Sequence, residues 1–331
     1  MNTTVRLRIA RAIAFSLIFL PVVTAELLAG QGAGPSSGRY VSSRTEWGDP
    51  DLQGVFSNSD ENGIPFERPS EFEGRQLADV TGEELARVNE ERQRTALERA
   101  PVLENIPGIH SPLEWFEHFG ADNSRAWLVV DPPDGRVPPL TTEALERTAA
   151  PGGGGSFMGG PFNGPEDFGL YDRCITRGVP GSMMPAIYGN AYQIVQGPGF
   201  VAIRYEMIHE ARIIPLGGGA HVSGRIRPYM GDARGRWDGD TLVVETTNFR
   251  KGSAFQGGNS ETFRLIERFT RLAGDKVEWA VTVDDPTTWV RPWTFAMHLT
   301  QKDASQQPFE YACHEGNRGL ANMLTISRAG K

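Results

Sequence analysis

The chain has 331 residues, with 33 Lys and Arg against 41 Asp and Glu, a formal net charge of −8 and 39% hydrophobic residues. An acidic balance of this kind repels polyanions and provides no basic stripe, which excludes nucleic acid as a partner. Gly and Pro number 39 and 23, a density of turn formers that excludes a fold built from long helices.

Arg6, Arg8 and Arg11 precede an apolar run from Ala12 to Ala25, and Val23-Thr24-Ala25 has the small-residue form accepted by a signal peptidase. Residues 1–25 therefore read as a cleaved secretory leader. The run is too short, and too interrupted by Pro21, for a retained membrane anchor. Cleavage removes three arginines and no acids, leaving 30 basic against 41 acidic residues and a net charge of −11. No later segment reaches the apolar length of a membrane span, so the mature chain is expected in the periplasm or outside the cell. Only Cys174 and Cys313 occur, and in an oxidising compartment such a pair is expected to form a disulfide.

Residues 26–45 are small and polar without a hydrophobic period, which predicts a flexible arm, with order starting near Trp47. Residues 46–150 read as an irregular wrap with a few short helices. Within it, Asp51 to Phe56 is strand-like, and Gly63, Pro65 and Pro69 break any regular element. Thr81 and Glu84 have capping-box spacing ahead of a helix from Gly82 to about Glu98, with Leu85, Val88 and Leu97 as its buried stripe. Further pieces are a helix from Pro112 to Phe119, a strand from Ala126 to Val130 and a helix from Thr142 to Thr148. Residues 151–169 hold eight glycines, a loop between two halves whose Phe157, Met158, Phe162 and Phe168 suit either a plain connection or a lid.

Residues 170–331 read as an antiparallel β domain, an up-and-down barrel or sandwich, so the fold class is mainly β. Strands are predicted at 192–196, 200–206, 211–215, 235–237, 241–247, 262–272, 276–283, 293–300 and 309–313, with a closing helix from Leu320 to Ile326. Gly197-Pro198-Gly199, Asp238-Gly239-Asp240 and Ala273-Gly274-Asp275 supply hairpin turns. Val277, Trp279, Val281 and Val283 share one strand face, and Trp293, Phe295, Met297 and Leu299 share another.

No nucleophile elbow, zinc-protease helix, Walker loop or dinucleotide fingerprint is present. Three polar clusters at strand ends remain. In Glu206-Met207-Ile208-His209-Glu210-Ala211-Arg212, His209 can move protons or bind a metal, with Glu210 and Arg212 as substrate contacts; the alternative is a hairpin with charges paired at its edge. Asp284, Asp285 and Arg291, with Trp289 and Trp293, can form the wall of a polar-substrate pocket, or a turn beside a core. His314 and Glu315 follow Cys313, where a disulfide would hold a histidine rigidly. His209, His221, His298 and His314 are also candidate metal ligands, although their spacing matches no known ligand pattern.

Arg173-Cys174 with Gly178-Val179-Pro180-Gly181, Met207-Ile208-His209-Glu210 followed by Arg212-Ile213-Ile214-Pro215, Gly235-Arg236-Trp237-Asp238-Gly239-Asp240, Val283-Asp284-Asp285-Pro286, Arg291-Pro292-Trp293 and Cys313-His314-Glu315-Gly316-Asn317 resemble a widespread group of uncharacterised secreted bacterial proteins. The resemblance runs from Trp47 to the end. It implies export and a shared fold, and it brings no activity and no catalytic residue. The expectation is an exported enzyme using general acid–base hydrolysis or elimination, with or without a metal's assistance, on a small polar or aromatic molecule. His209, His314, Asp284, Asp285, Arg291 and Glu315 would be its catalytic set. The alternative is a secreted small-molecule binding protein, and no cofactor is identified by the sequence.

Overall fold

The computed structural model describes residues 40–104, 116, 119–149, 162–186, 188–303 and 307–329. The leader, the arm up to residue 39, almost all of the helix expected at 112–119 and residues 151–161 of the glycine-rich loop lie outside the described residues. Order starts ahead of Trp47: Ser42 is buried, and Arg44 bridges to Pro50.

Strand β1 (Gly54–Ser57) is followed by helix α1 (Gly82–Glu104), strand β2 (Val129–Asp131) and helix α2 (Thr142–Ala149). Helix α1 starts at the predicted residue, but Glu84 pairs with Arg75 instead of closing a capping box with Thr81; its sparse apolar stripe does what such a stripe must. Leu85 and Val88 pack on Phe72, Val80 and Trp127, while Leu97 packs beside Ala96 and Ala100. The opposite face is solvated, with Arg94 paired to Glu91 and Glu98 at helical spacing.

Eight further strands follow: β3 (Ala191–Gly197), β4 (Phe200–Tyr205), β5 (Ala211–Pro215), β6 (Asp232–Asp238), β7 (Thr241–Thr247), β8 (Arg264–Ala273), β9 (Lys276–Asp284) and β10 (Trp293–Gln301). Helices α3 (Cys313–Gly316) and α4 (Arg318–Ala329) end the chain. The predicted strand at 309–313 is not formed; the chain there is irregular until α3. The three predicted hairpin turns join β3 to β4, β6 to β7 and β8 to β9.

The strands form one antiparallel ten-stranded sheet in the order β5-β4-β3-β1-β10-β9-β8-β7-β6, with β2 also on β10, curled into a nearly closed barrel. The order is not the simple chain-order meander of the sequence reading, because β1 inserts between β3 and β10, pairing Phe56 with Tyr192 and with Gln301. At the seam, β5 and β6 meet through a single parallel bridge between Leu216 and Gly235. Glycine is required there, since a Cβ on residue 235 would stand 2.7 Å from Leu216 and 2.9 Å from Ile214.

The alternation read in β9 and β10 places Val277, Trp279, Val281, Val283, Trp293, Phe295, Met297 and Leu299 in one core with Tyr205, Phe269 and Ile203. Each such large side chain, fully buried, contributes roughly 1.5–3 kcal/mol. The other face of β10 is covered by the N-terminal region: Ala296 N–H donates to Leu128 O at 3.0 Å and His298 N–H to Glu61 Oε2 at 3.2 Å. The interior is thus filled by side chains, and open space lies outside it.

Candidate functional site

Part of that open space lies where the C-terminal segment returns. Cys174 and Cys313, 139 residues apart, form the expected disulfide with Cα atoms 5.7 Å apart. Asn317 reinforces it, its Nδ2 donating to Asp172 O at 2.8 Å and to Cys174 Sγ at 3.4 Å while its Oδ1 accepts Leu320 N–H at 3.3 Å at the start of α4. Arg204 Nη2 donates to Pro308 O at 3.2 Å, and a ring nitrogen of His209 lies 3.0 Å from Tyr311 O. Residues 307–329 are therefore strapped onto the 171–177 and 204–209 segments.

Backbone strain concentrates around the same place. Cys174, Ile208, His209 and Gln256 all have positive φ, between 46° and 60°, a region that costs energy for residues other than glycine. Such residues cluster where function holds them.

Two adjoining hollows, of about 670 and 410 Å³, share Tyr171 and Tyr188. The larger is also lined by Arg177, Met184, Met207 and Phe255, and the smaller by Tyr311, Leu320 and Met323. The Arg177 guanidinium sits 5.6 Å above the Tyr171 ring. Its Nη1 is buried without a hydrogen-bond partner, a state that costs about 1–3 kcal/mol for a polar group and more for a charged one.

Tyr188 and Tyr311 stack with ring centroids 6.2 Å apart, and the Tyr171 hydroxyl donates to Met207 Sδ at 3.5 Å. Burial, followed by a hydrogen bond with Tyr188, pushes the Tyr171 and Tyr311 phenols above their ordinary range. They stay neutral and able to donate.

Glu210 stands behind the larger hollow. It accepts from Thr176 Oγ1 at 2.9 Å, Arg177 N–H at 3.3 Å and Ser182 Oγ at 3.3 Å. Burial pushes its carboxyl above the usual range, and these hydrogen bonds only partly oppose that.

No protein family, curated protein or solved structure matches this chain.

The residues singled out from the sequence are scattered around the barrel. His209, His314 and Glu315 are exposed on or beside the strap. His221 lies between two carboxylates, 2.8 Å from Asp232 and 3.4 Å from Glu245; the row continues through Arg264 to Asp284, which Arg264 holds at 2.6 Å. His298 sits on the outer face of β10, its Nδ1 buried without a partner and its imidazole pushed down to about 4, by burial first and then by Arg125. The expected convergence of His209, His221, His298 and His314 on a metal is not seen: among the described residues no group of three or more His, Cys, Asp or Glu is placed to hold an ion. The physical reason is that His209 and His314 stay exposed at the strap, while His221 is held by Asp232 and Glu245 and His298 is half-buried on the outer face of β10.

The expected aromatic wall is core instead. Trp289 and Trp293 are buried edge to face, 5.6 Å apart, and Trp293 packs on Phe66 and Phe295. Asp285 is buried as the acceptor centre of a turn, and among the described residues Arg291 reaches only Asp131, at 3.4 Å on the surface. Arg212 points into the barrel interior. Of the expected contacts only Glu210 reaches the lining of the cleft, through its bonds to Thr176 and Arg177. Tyr171, Arg177, Tyr188 and Phe255 were not legible as site residues, since isolated tyrosines and arginines in loops carry no spacing signal. The Arg173-Cys174 and Gly178-Val179-Pro180-Gly181 motifs that flank Arg177 marked the neighbourhood without its chemistry.

The disulfide, and the lack among the described residues of any helix long and apolar enough to cross a membrane, are compatible with an exported protein.

Proposed function

We propose that this is an exported binding protein, of the secreted bacterial group it resembles, whose cleft holds a small organic anion with an apolar or aromatic body. The observation that carries this reading is Arg177. It is a permanent cation, stacked on Tyr171, whose buried Nη1 lacks an acceptor, and it is surrounded by Met184, Met207 and Phe255. A ligand carboxylate would supply the missing acceptor, and the apolar lining would cover the ligand body. The neutral phenol of Tyr171 adds a donor at the partition between the hollows.

A panel of aromatic monocarboxylates, with benzoate and 4-hydroxybenzoate as first probes, tests this by calorimetry. Binding is expected, and Arg177→Gln should weaken it at least tenfold. Full retention of affinity in that variant removes the proposal.

A second reading, hydrolysis or elimination, is favoured by Glu210, because a carboxyl with a raised proton affinity behind a substrate-sized cleft suits a general acid. It gives the proton-transfer role to Glu210 instead of the histidines. Chromatography of recovered ligand separates the two readings: turnover abolished by Glu210→Gln supports catalysis, and unchanged ligand supports binding alone.

A further inference from the structure

A separate hollow, independent of the cleft, lies at the seam of the barrel. It measures about 420 Å³ and is lined by Trp47, Asp49, Gly199, Gly217, Arg236 and Trp237 among others. Its position follows from the topology. β6 is the last strand of the sheet, and beyond its single bridge to Leu216 the chain turns away, leaving a notch between the β3–β4 turn and the end of β6. Because the notch lies on a strand edge, Arg236 and Trp237 both border it although neighbours in a strand point to opposite faces.

Trp47 is presented on a braced turn. Thr45 N–H donates to Asp49 O at 2.9 Å, Asp49 N–H donates to Thr45 Oγ1 at 3.1 Å, and Gly48 takes a positive φ of 93°. Arg44 ties this turn to Asp240, in the β6–β7 hairpin that follows Trp237, at 2.6 Å. The Trp47 indole is 37% exposed, far more than stability needs for so large an apolar ring. Its Nε1 donates to Asp49 Oδ2 at 3.0 Å, which fixes the ring plane and leaves the carboxylate further lone pairs. Floor positions Gly199 and Gly217 would direct a Cβ into empty space. Arg236 is exposed and has no side-chain partner among the described residues.

We propose that this notch binds a saccharide bearing a carboxylate, of the uronic-acid type. Indole faces pack against the C–H faces of sugar rings, Asp49 accepts a ring hydroxyl, and the unpaired Arg236 guanidinium takes the carboxylate in a two-point contact. A neutral sugar leaves Arg236 unused. The volume lies within the range of small-molecule sites.

The test uses the mature chain on an array of acidic and neutral oligosaccharides, followed by tryptophan-fluorescence titration with trigalacturonate and with neutral galactotriose. Trigalacturonate is expected to bind at least tenfold more tightly than galactotriose. Trp47→Ala and Arg236→Ala should each weaken it tenfold or more, with Arg236→Lys intermediate. Because Arg236 has no partner to lose, Arg236→Ala should melt at the wild-type temperature, which separates lost binding from lost folding. No Trp47-dependent signal anywhere on the array overturns the proposal, as does equal affinity for the two trisaccharides or undiminished binding by Arg236→Ala.

Discussion

Arg212 and Glu267 face each other inside the barrel, joined by two hydrogen bonds of 2.6 and 3.1 Å, with their side chains 4% and 0% exposed. Glu267 occupies the inward position between Leu265 and Phe269 on β8, and Arg212 the one next to Ile214 on β5. The pair therefore links opposite arms of the sheet through its core. Trp279 Nε1 donates a third bond to Glu267 at 3.1 Å. Burial alone would weaken the hold of Arg212 on its proton, but the Glu267 charge outweighs it, and the guanidinium stays ionised.

Removing one partner leaves an uncompensated buried charge, so Glu267→Leu alone should cost about 3–5 kcal/mol in urea denaturation. Combining it with Arg212→Met should recover much of that loss, because two apolar side chains of similar volume can fill the same space. A double variant no more stable than the single one would show that the pair contributes more than mutual neutralisation.

His298 predicts a distinct acid sensitivity. It faces Glu61, Arg125, Glu278 and Lys276, and burial is the main reason its imidazole titrates at about 4 instead of 6.5. A depressed value means that the unfolded chain takes up this proton first. Its contribution is therefore fully present above about pH 6.5 and is lost as pH falls towards 4, by an amount on the order of 2–3 kcal/mol. Burial pushes the neighbouring Glu61 carboxyl up, so its linkage has the opposite sign, with stability lost as pH rises through its folded value. His298→Gln keeps Glu61 and removes the imidazole. Its stability, followed by denaturant titration from pH 7 to 4, should decline less steeply than wild type; parallel curves would refute the assignment.

The disulfide should control the strap more than the barrel. Sheet pairing is complete without residues 307–329, whereas that segment is held by the Cys174–Cys313 bridge and a handful of hydrogen bonds. Replacing both cysteines with serine should lower stability by up to about 5 kcal/mol in the loop-entropy view. Limited proteolysis of that variant should cut first within 307–329 and leave a resistant barrel. Simultaneous digestion of both would show that the strap and the barrel unfold together.

The barrel was legible because period-two alternation and hairpin turns are local signals. Trp279 and Phe295 declare a buried face by their spacing, and Gly274 with Asp275 declares a turn. The insertion of β1 was not legible, since the pairing of Phe56 with Tyr192 spans most of the chain and leaves no local mark. The cleft failed to show for the same reason. Tyr311 lies far in sequence from Tyr171 and Tyr188 and meets them only in the folded chain. Histidines and tryptophans often carry chemistry, but Trp293 and His298 are placed here by packing on β10.

Asp285 provides the sharpest separation of turn from chemistry. Its carboxylate accepts from Thr288 Oγ1 at 2.5 Å, Thr262 Oγ1 at 2.7 Å, Asn259 N–H at 2.7 Å and Thr287 Oγ1 at 2.9 Å. Burial would raise this carboxyl, but the four donors outweigh it and hold it below its ordinary value. Such a group keeps its stabilising effect above the unfolded value near 3.8 and loses it only as pH falls through the lower folded one. A carboxylate this satisfied is a poor proton carrier, because taking a proton would weaken the bonds that tie Asn259 and Thr262 to the 285–288 turn. Asp285→Ala should therefore cost about 1–3 kcal/mol in thermal or urea unfolding, since several donors lose their acceptor at once. Affinity for an aromatic carboxylate at the Arg177 cleft should stay within about twofold in a fully folded sample, as the turn contributes no side chain to that lining. The opposite result, a variant of unchanged stability that fails to bind or turn over ligand, would return Asp285 to the site.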